Sequence, residues 1–322
     1  MILGIDTSCY TTSWALVDCQ GNLVAKAERL LNVEEGDRGL AQSAALFQHI
    51  KAGVPLFREL LLGAGNLDVK GVCASSRPRP QEDSYMPVFL AGEHWGGLLA
   101  SAWGVPFYRV SHQEGHLMAG VKTAAMPEKQ RFLAVHLSGG TSEILEVTKK
   151  TGGFAIRLLG GSNDLAAGQF VDRVGVALGL AFPAGLALDD LAVAYQGERP
   201  SLKGWSHGMS FSLSGPESAA QRLIAVGVPP GAIAQSVLAA IASALEKTLR
   251  QAMAFTGLSD ILFVGGVAAS RFLKERLKHR MGKAADLYFT PPQYAKDNAL
   301  GVAWLGLEQH LTEKKPSAEE SR

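Results

Sequence analysis

The sequence predicts an α/β fold assembled from two related halves around a cleft. Three observations carry this expectation. Apolar runs of strand length alternate with longer segments of helical spacing. A plan of apolar strand, small-residue tip and apolar return strand occurs twice, in LGIDTSCYTTSWALVD from Leu3 and in LAVHLSGGTSEILEV from Leu133. The chain of 322 residues is long enough for about two units with cores of their own.

The elements follow in order. Met1–Thr7 reads as a buried strand, Ser8–Thr12 as its tip, Ser13–Asp18 as the return and Leu23–Leu31 as a third strand. Gln42–Leu62 has helical spacing, with a bend expected near Pro55. Val69–Ser75 is a strand, Val88–Trp103 a helix, Pro106–Val110 a strand and His112–Lys122 a helix. The pattern then restarts with strand Phe132–Leu137, tip Ser138–Thr141 and strand Ser142–Val147. Helices are expected over 164–178, 186–195, 230–256, 268–281 and 297–309, and strands over Ile261–Val264 and Leu287–Thr290. The first half is therefore placed at 1–130, completed by the C-terminal helix 295–309, the second at 131–294, and a flexible polar tail at 312–322. The actin/hexokinase-like (ASKHA) architecture fits this duplication, with nucleotide and metal in the cleft. A single dinucleotide-binding domain fits worse, because no G-x-G-x-x-G follows the first strand.

Composition narrows the function classes. With 47% hydrophobic and 19% charged residues the chain is expected to be globular rather than disordered. No uninterrupted apolar stretch reaches membrane-spanning length, and MILGIDTS lacks the basic start of a secretory leader. The three cysteines, Cys9, Cys19 and Cys73, have neither metal-site nor disulfide-framework spacing. Together these predict a cytoplasmic protein without a membrane partner. A net charge of +1 argues against a wholesale nucleic-acid coat, although Arg271–Lys283 is locally basic.

The sharpest motif is Ser111-His112-Gln113-Glu114-Gly115-His116. Ser111 and Glu114 have capping-box spacing, so a helix should start here. His112 and His116 then lie four apart on one face, as a metal-binding pair or as two histidines that merely share a face. Asp297 and His136 are candidates to complete a zinc or iron site. On spacing alone Asp297 reads rather as a plain N-cap, and the plainer reading of His136 is a strand residue facing a polar neighbour.

Two glycine tips, Ser138-Gly139-Gly140-Thr141 and Gly265-Gly266, can bring backbone N–H groups close to phosphate oxygens, or can be tight turns. Asp164, Gly168 and Asp172 repeat every four residues and are expected on one helical face, with Gly185 opening the next helix. Arg77 and Arg79, flanking Pro78, are guanidinium forks suited to a carboxylate or phosphate.

These motifs, in this order, resemble the TsaD family of tRNA threonylcarbamoyladenosine transferases, formerly called O-sialoglycoprotein endopeptidases. The resemblance runs over roughly 1–308 and rests on LGIDTSC, HQEGHL, LSGG, DLAAGQFVDRV with FPAG, FSLSG, VGGVAASRFL and DNAL. It implies an actin/hexokinase-like fold and one divalent metal, iron or zinc, on His112, His116 and Asp297. His136 stands where archaeal relatives carry a tyrosine ligand. Nucleotide contacts, to ATP or a threonylcarbamoyl-adenylate, carry over to Leu137, Ser138, Gly139, Gly140, Asp172 and Gly185, with Gly265, Gly266 and Ser270 in the last nucleotide motif. The implied reaction moves a threonylcarbamoyl group to adenosine beside the tRNA anticodon. The implied partners are tRNA and TsaB-like and TsaE-like proteins, or a second copy of the chain.

The chain departs from the family at identifiable points. The family's first tip reads Cys-Asp-Glu-Thr where this one has Cys9-Tyr10-Thr11-Thr12. Its Gly-Pro-Gly is replaced by Arg77-Pro78-Arg79-Pro80, the residue after Ser-Gly-Gly is Thr141, and an Asn is replaced by Ser270. Two alternatives to the tRNA transferase follow. One is a paralogue with the same metal and nucleotide chemistry on another acceptor, with Arg77 and Arg79 reading an anionic group. The other is a non-catalytic heterodimer partner, which the retained His112, His116 and Asp297 argue against.

Overall fold

The computed structural model describes residues 1–8, 10–34, 36–37, 39–65, 67–296 and 299–314. Cys9, Asp297 and the tail from 315 onward therefore lie outside the described residues.

The first half runs β1 (Ile2–Asp6), β2 (Thr11–Val17), β3 (Leu23–Leu30), α1 (Gln42–Ala64), β4 (Gly71–Arg77), α2 (Phe89–Trp103), β5 (Phe107–Ser111) and α3 (His112–Thr123). Its sheet has the order β3-β2-β1-β4-β5. β1 pairs antiparallel with β2 and parallel with β4, and β5 joins β4 in parallel. Every residue of β1 and β2 is buried because both sheet faces are covered. Leu3, Ile5, Trp14 and Leu16 pack with Leu56 and Leu60 of α1 on one side. Ile2, Ala15 and Val17 face the C-terminal helix on the other.

The second half contains β6 (Arg131–Leu137), β7 (Ser142–Lys150), β8 (Gly153–Ser162), α4 (Ala167–Ala177), α5 (Gly185–Ala194), β9 (Trp205–His207), β10 (Ser210–Ser212), α6 (Ser214–Ala225), α7 (Pro230–Thr256), β11 (Asp260–Val264), α8 (Arg271–Met281) and β12 (Asp286–Phe289). α9 (Pro292–Ala295) and α10 (Leu300–Glu313) then return to the first half. The sheet order is β12-β11-β6-β7-β8-β10-β9. Its first five members repeat the first sheet: an antiparallel β6-β7-β8 meander with β11 and β12 added in parallel beside β6. The duplication seen in the two strand–tip–strand motifs is thus a duplication of topology.

α7 is long and apolar enough, by length and composition, to cross a membrane, and 78% of that window is buried inside the fold. Ile233, Val237, Ile241, Leu245 and Leu249 lie along its interior face in the core of the second half. The structure adds elements beyond the sequence expectation, namely β8, the β9–β10 hairpin, α6 and the short α9.

The expected helix over 164–178 starts only at Ala167. Asp164 therefore does not share a helical face with Asp172. Its carboxylate instead accepts from Ser212 Oγ (2.5 Å), Ser214 Oγ (2.5 Å), Leu213 N (3.0 Å) and Leu165 N (2.6 Å). Burial acts to raise the Asp164 pKa, but these four donors outweigh it and hold the carboxyl well below the usual carboxylate range. The expected helix over 268–281 divides into a 3-10 turn, Gly266–Ala269, and α8, which Ser270 caps by accepting from Leu273 N at 3.1 Å.

Candidate functional site

α3 begins where β5 ends, and the expected capping box is present. Ser111 Oγ accepts from Glu114 N at 3.2 Å, while Glu114 Oε2 accepts from Ser111 N at 2.8 Å. This start sets His112 and His116 one turn apart with ring centroids 4.4 Å from each other. His136, at the end of β6, brings a third imidazole from the second half. Its centroid is 4.9 Å from that of His116 and 6.5 Å from that of His112. His116 and His136 are buried.

Asp6, fully buried at the end of β1, orients the first ring. Its Oδ2 lies 3.2 Å from His112 Nδ1. Ser8 Oγ (2.9 Å) and Ser75 Oγ (2.5 Å) also donate to this carboxylate. An imidazole that donates from Nδ1 to a carboxylate carries its lone pair on Nε2, the arrangement typical of a metal-ligating histidine. Asp6 is missing from the sequence candidates, although a charged residue ending an otherwise apolar run is a readable signal. Among the described residues no three His, Cys, Asp or Glu side chains form a ready-made metal group. Asp297 lies outside the described residues. The donor set, three imidazoles with a carboxylate behind one of them, has the chemistry zinc or ferrous iron prefers.

The glycine tips adjoin this trio. Ser138 N donates to Thr141 O (2.8 Å), closing the β6–β7 turn, and Gly168 N donates to Ser138 O (3.1 Å), docking the turn on the start of α4. A Cβ on Gly168 would stand 2.5 Å from Ser138 O and 2.6 Å from Gly139 Cα, so only glycine permits this approach. Gly265, with φ +92°, packs against the Leu137 carbonyl, and a Cβ there would lie 3.1 Å from His136 Cδ2. Gly140 and Gly266 have no atom within 4 Å of where a side chain would begin, so both tips adjoin open space.

Asp172 spans from α4 to the start of α5, accepting from Ala184 N at 2.8 Å, next to Gly185. Burial pushes its carboxyl up to about 6, and the Ala184 N–H offsets this only in part. The folded value exceeds the ordinary one, so the folded state takes up a proton between about pH 4 and 6. This group's destabilising effect is present above about pH 6 and is relieved as pH falls. Asp172→Asn is expected to raise unfolding stability by about 1–3 kcal/mol near pH 7, and by much less near pH 4. Urea unfolding at the two pH values checks this; an equal gain at both would contradict it.

Ser270 donates to Asp189 Oδ1 at 2.6 Å, so its hydroxyl links α8 to α5. Arg271 pairs with Asp189 and Asp190, Lys278 with Glu275 and Arg280 with Glu246, so much of the basic run from Arg271 is matched within the fold. Arg77 ends β4, opposite Ser111 of β5. Arg79 Nη2 pairs with Glu143 Oε1 at 2.5 Å, and Gln113 Nε2 donates to Glu143 Oε2 at 2.7 Å while standing 3.5 Å from His136 Nδ1. Gln113 and Glu143 are also absent from the sequence candidates.

Tyr10, in place of the acidic residue of the family tip, reaches the second half. Its ring stands edge-on to Phe182 at 5.0 Å, and a Cβ on Gly139 would be 3.8 Å from it.

Comparison with known proteins bears on family and fold. The family model for TsaD, tRNA N6-adenosine threonylcarbamoyltransferase, matches residues 90–304. A tRNA N6-adenosine threonylcarbamoyltransferase of Thermus thermophilus is 34% identical over 325 residues, covering 98% of this chain and 95% of that relative. Among solved structures, component A of the Acidaminococcus fermentans (R)-2-hydroxyglutaryl-CoA dehydratase aligns with a TM-score of 0.60 at 16% identity, covering 96% of this chain and 98% of that one. A ROK family glucokinase of Streptomyces griseus, solved with glucose and AMPPNP, aligns at 0.52 with 13% identity, covering 95% and 98%. The fold is the duplicated actin/hexokinase-like one.

Proposed function

Because this chain belongs to the TsaD family of tRNA N6-adenosine threonylcarbamoyltransferases, we propose that it moves a threonylcarbamoyl group from its adenylate to the amine of an adenosine beside the tRNA anticodon. The observation that carries this reading is the junction of glycine tip and imidazole trio, where Gly265 packs against both the Leu137 carbonyl and the His136 ring. A phosphate held at the tips lies next to the three histidines.

A zinc or iron ion on His112, His116 and His136, with Asp297 as a further ligand, would supply Lewis-acid polarisation of carbamoyl and phosphate oxygens when bound. The chain's own residues do the positioning. Asp6 holds the His112 ring through Nδ1. The open sides of Gly140 and Gly266 let backbone N–H groups approach the adenylate phosphate. Asp172, ionised above about pH 6, accepts a hydrogen bond from a nucleotide hydroxyl beside Gly185.

The partners we propose are tRNA and either a TsaB-like protein, with a TsaE-like one, or a second copy. The outer side of α1 supports a protein partner, since Phe47, Ile50, Val54 and Leu62 there are all more than half exposed. Free Cys19 and Cys73 suit a reducing cytoplasm.

A second reading keeps the chemistry and changes the acceptor. Tyr10 favours it, because an aromatic ring against Phe182 and the Gly139 tip replaces the family's acidic group.

The test supplies metal-loaded chain with threonylcarbamoyl-adenylate and unmodified tRNA, alone and with TsaB-like and TsaE-like proteins. Appearance of the modified nucleoside is expected. An adenylate consumed with no tRNA modified would favour the second reading, and no consumption at all would overturn both.

A further inference from the structure

The strand register carries one face of the second sheet from the imidazole trio to the sheet's far edge. His136 of β6 pairs with Glu143 of β7, and Glu143 with Gly161 of β8. Gly161 pairs with Ser210 of β10, and Ser210 with His207 of β9. Directly paired residues point to the same side of a sheet. His207 therefore lies on the face that carries His136, and Trp205, two residues earlier, lies there too. Phe211, next to Ser210, points the other way, into the core with Leu137 and Ile144. Four strand steps of about 4.8 Å set His207 roughly 19 Å from His136.

At this edge two aromatic rings stand exposed and nearly parallel. Trp205 is 54% exposed, and its ring lies 6.2 Å from that of His207 at an angle of 23°. His207 is exposed as well. The hairpin that presents them is held firmly. Gly208, with φ +54°, forms the tight turn that closes β9 on β10. Trp205 pairs with Ser212, whose hydroxyl donates to Asp164 together with that of Ser214. The Asp164 carboxylate disfavours a phosphate at this spot and leaves the flat faces of the rings as its binding feature. Lys203 is exposed, two residues before Trp205 and so within about 7 Å along the chain. β9 is the outermost strand but only three residues long, a short edge that resists adding a partner's strand.

We propose that Trp205 and His207 form a stacking platform for an unpaired base of the tRNA anticodon loop, with Lys203 meeting a neighbouring phosphate. Unpaired RNA bases are recognised by stacking on aromatic rings, and a platform of this kind is tolerant of sequence. A loop whose adenosine sits at the trio reaches the platform along one continuous sheet face. At 3.4 Å per stacked nucleotide, the platform base is no more than about six nucleotides from that adenosine. The identity of the RNA rests on the transferase reading above, whereas the platform and its register with the trio rest on the fold.

Fluorescence anisotropy of a labelled anticodon stem–loop, and of a blunt duplex of the same stem, tests the proposal with the full chain, alone and with a TsaB-like protein. The wild type is expected to bind the stem–loop more tightly than the duplex. Trp205→Ala is expected to weaken stem–loop binding by about tenfold and to leave duplex binding unchanged, and Trp205→Phe to retain most of the affinity. Calorimetric binding of AMP should be the same in all three proteins, which shows that the nucleotide tips are intact. Absence of stem–loop binding by the wild type under both conditions, or equal stem–loop affinity in wild type and Trp205→Ala, overturns the proposal. Trp205→Ala that loses the TsaB-like protein but not the RNA assigns the rings to a protein contact and likewise overturns it. Trp205-dependent loop binding by a chain that forms no modified nucleoside overturns the transferase reading and leaves the platform standing.

Discussion

Replacing His116 with alanine is expected to strip metal from the purified chain and to lower transfer to tRNA at least about 100-fold, about 2.7 kcal/mol of transition-state stabilisation. His116 is the central ring of the trio, 4.4 Å from His112 and 4.9 Å from His136, whereas those two are 6.5 Å apart. Without it the remaining pair cannot close on one ion with the same geometry. The start of α3 does not depend on this side chain, because Ser111 and Glu114 cap it. The variant should therefore fold, and near-unchanged circular dichroism would separate loss of the metal site from loss of the protein. Asp6→Asn should have a smaller effect of the same kind, about 10–100-fold in metal affinity, because it releases the His112 ring without removing a ligand. Metal content by plasma mass spectrometry and initial rates check both. Full metal and full rate in His116→Ala would contradict the reading.

Gly301→Ala is expected to destabilise the protein by about 2–3 kcal/mol and to lower Tm by about 5 °C. A Cβ on Gly301 would run into the Gly115 carbonyl oxygen and stand 3.3 Å from Ala119 N. α10 and α3 meet there backbone to backbone, so no side chain can give way. Relief requires one helix to move, and α3 carries His112 and His116, so metal affinity should fall together with stability. Gly140→Ala is the control: nothing lies within 4 Å of its Cβ position, so Tm should hold within about 1 °C. Thermal unfolding with and without added metal measures both effects. A Gly301→Ala protein as stable as the wild type would contradict the close crossing.

The fold is largely legible in the sequence because its two meanders begin with strands buried along nearly their whole length, Arg131 at the start of β6 being the exposed residue, and mostly apolar in sequence. β8 is not, because its residues are half-exposed, interrupted by Arg157 and ended by glycines, and so match neither strand template. α6 is hidden by Gly215 and Pro216 in its first turn, residues that read as a loop. Spacing alone puts Asp164 on a helical face, but spacing cannot weigh the serine hydroxyls of β10 and α6 that draw its carboxylate into a loop. The histidine pair is legible because one helical turn relates its members. Asp6 is signalled only as a charged end to an apolar run, and the fold alone supplies its partner His112. Gln113 lies inside the histidine motif but turns to His136 and Glu143, and Glu143 is set beside His136 by the β6–β7 pairing, which no motif spacing marks.

Threonylcarbamoyl transfer to tRNA through the imidazole trio, the function proposed for this cleft, can be read in living cells. The most direct test expresses the chain in a bacterial strain depleted of its own tRNA threonylcarbamoyltransferase and quantifies threonylcarbamoyladenosine in digested tRNA by mass spectrometry. The wild-type chain is expected to restore the nucleoside, and His116→Ala, at equal protein level, is expected not to. No restoration by well-expressed wild type, or equal restoration by both, would contradict it.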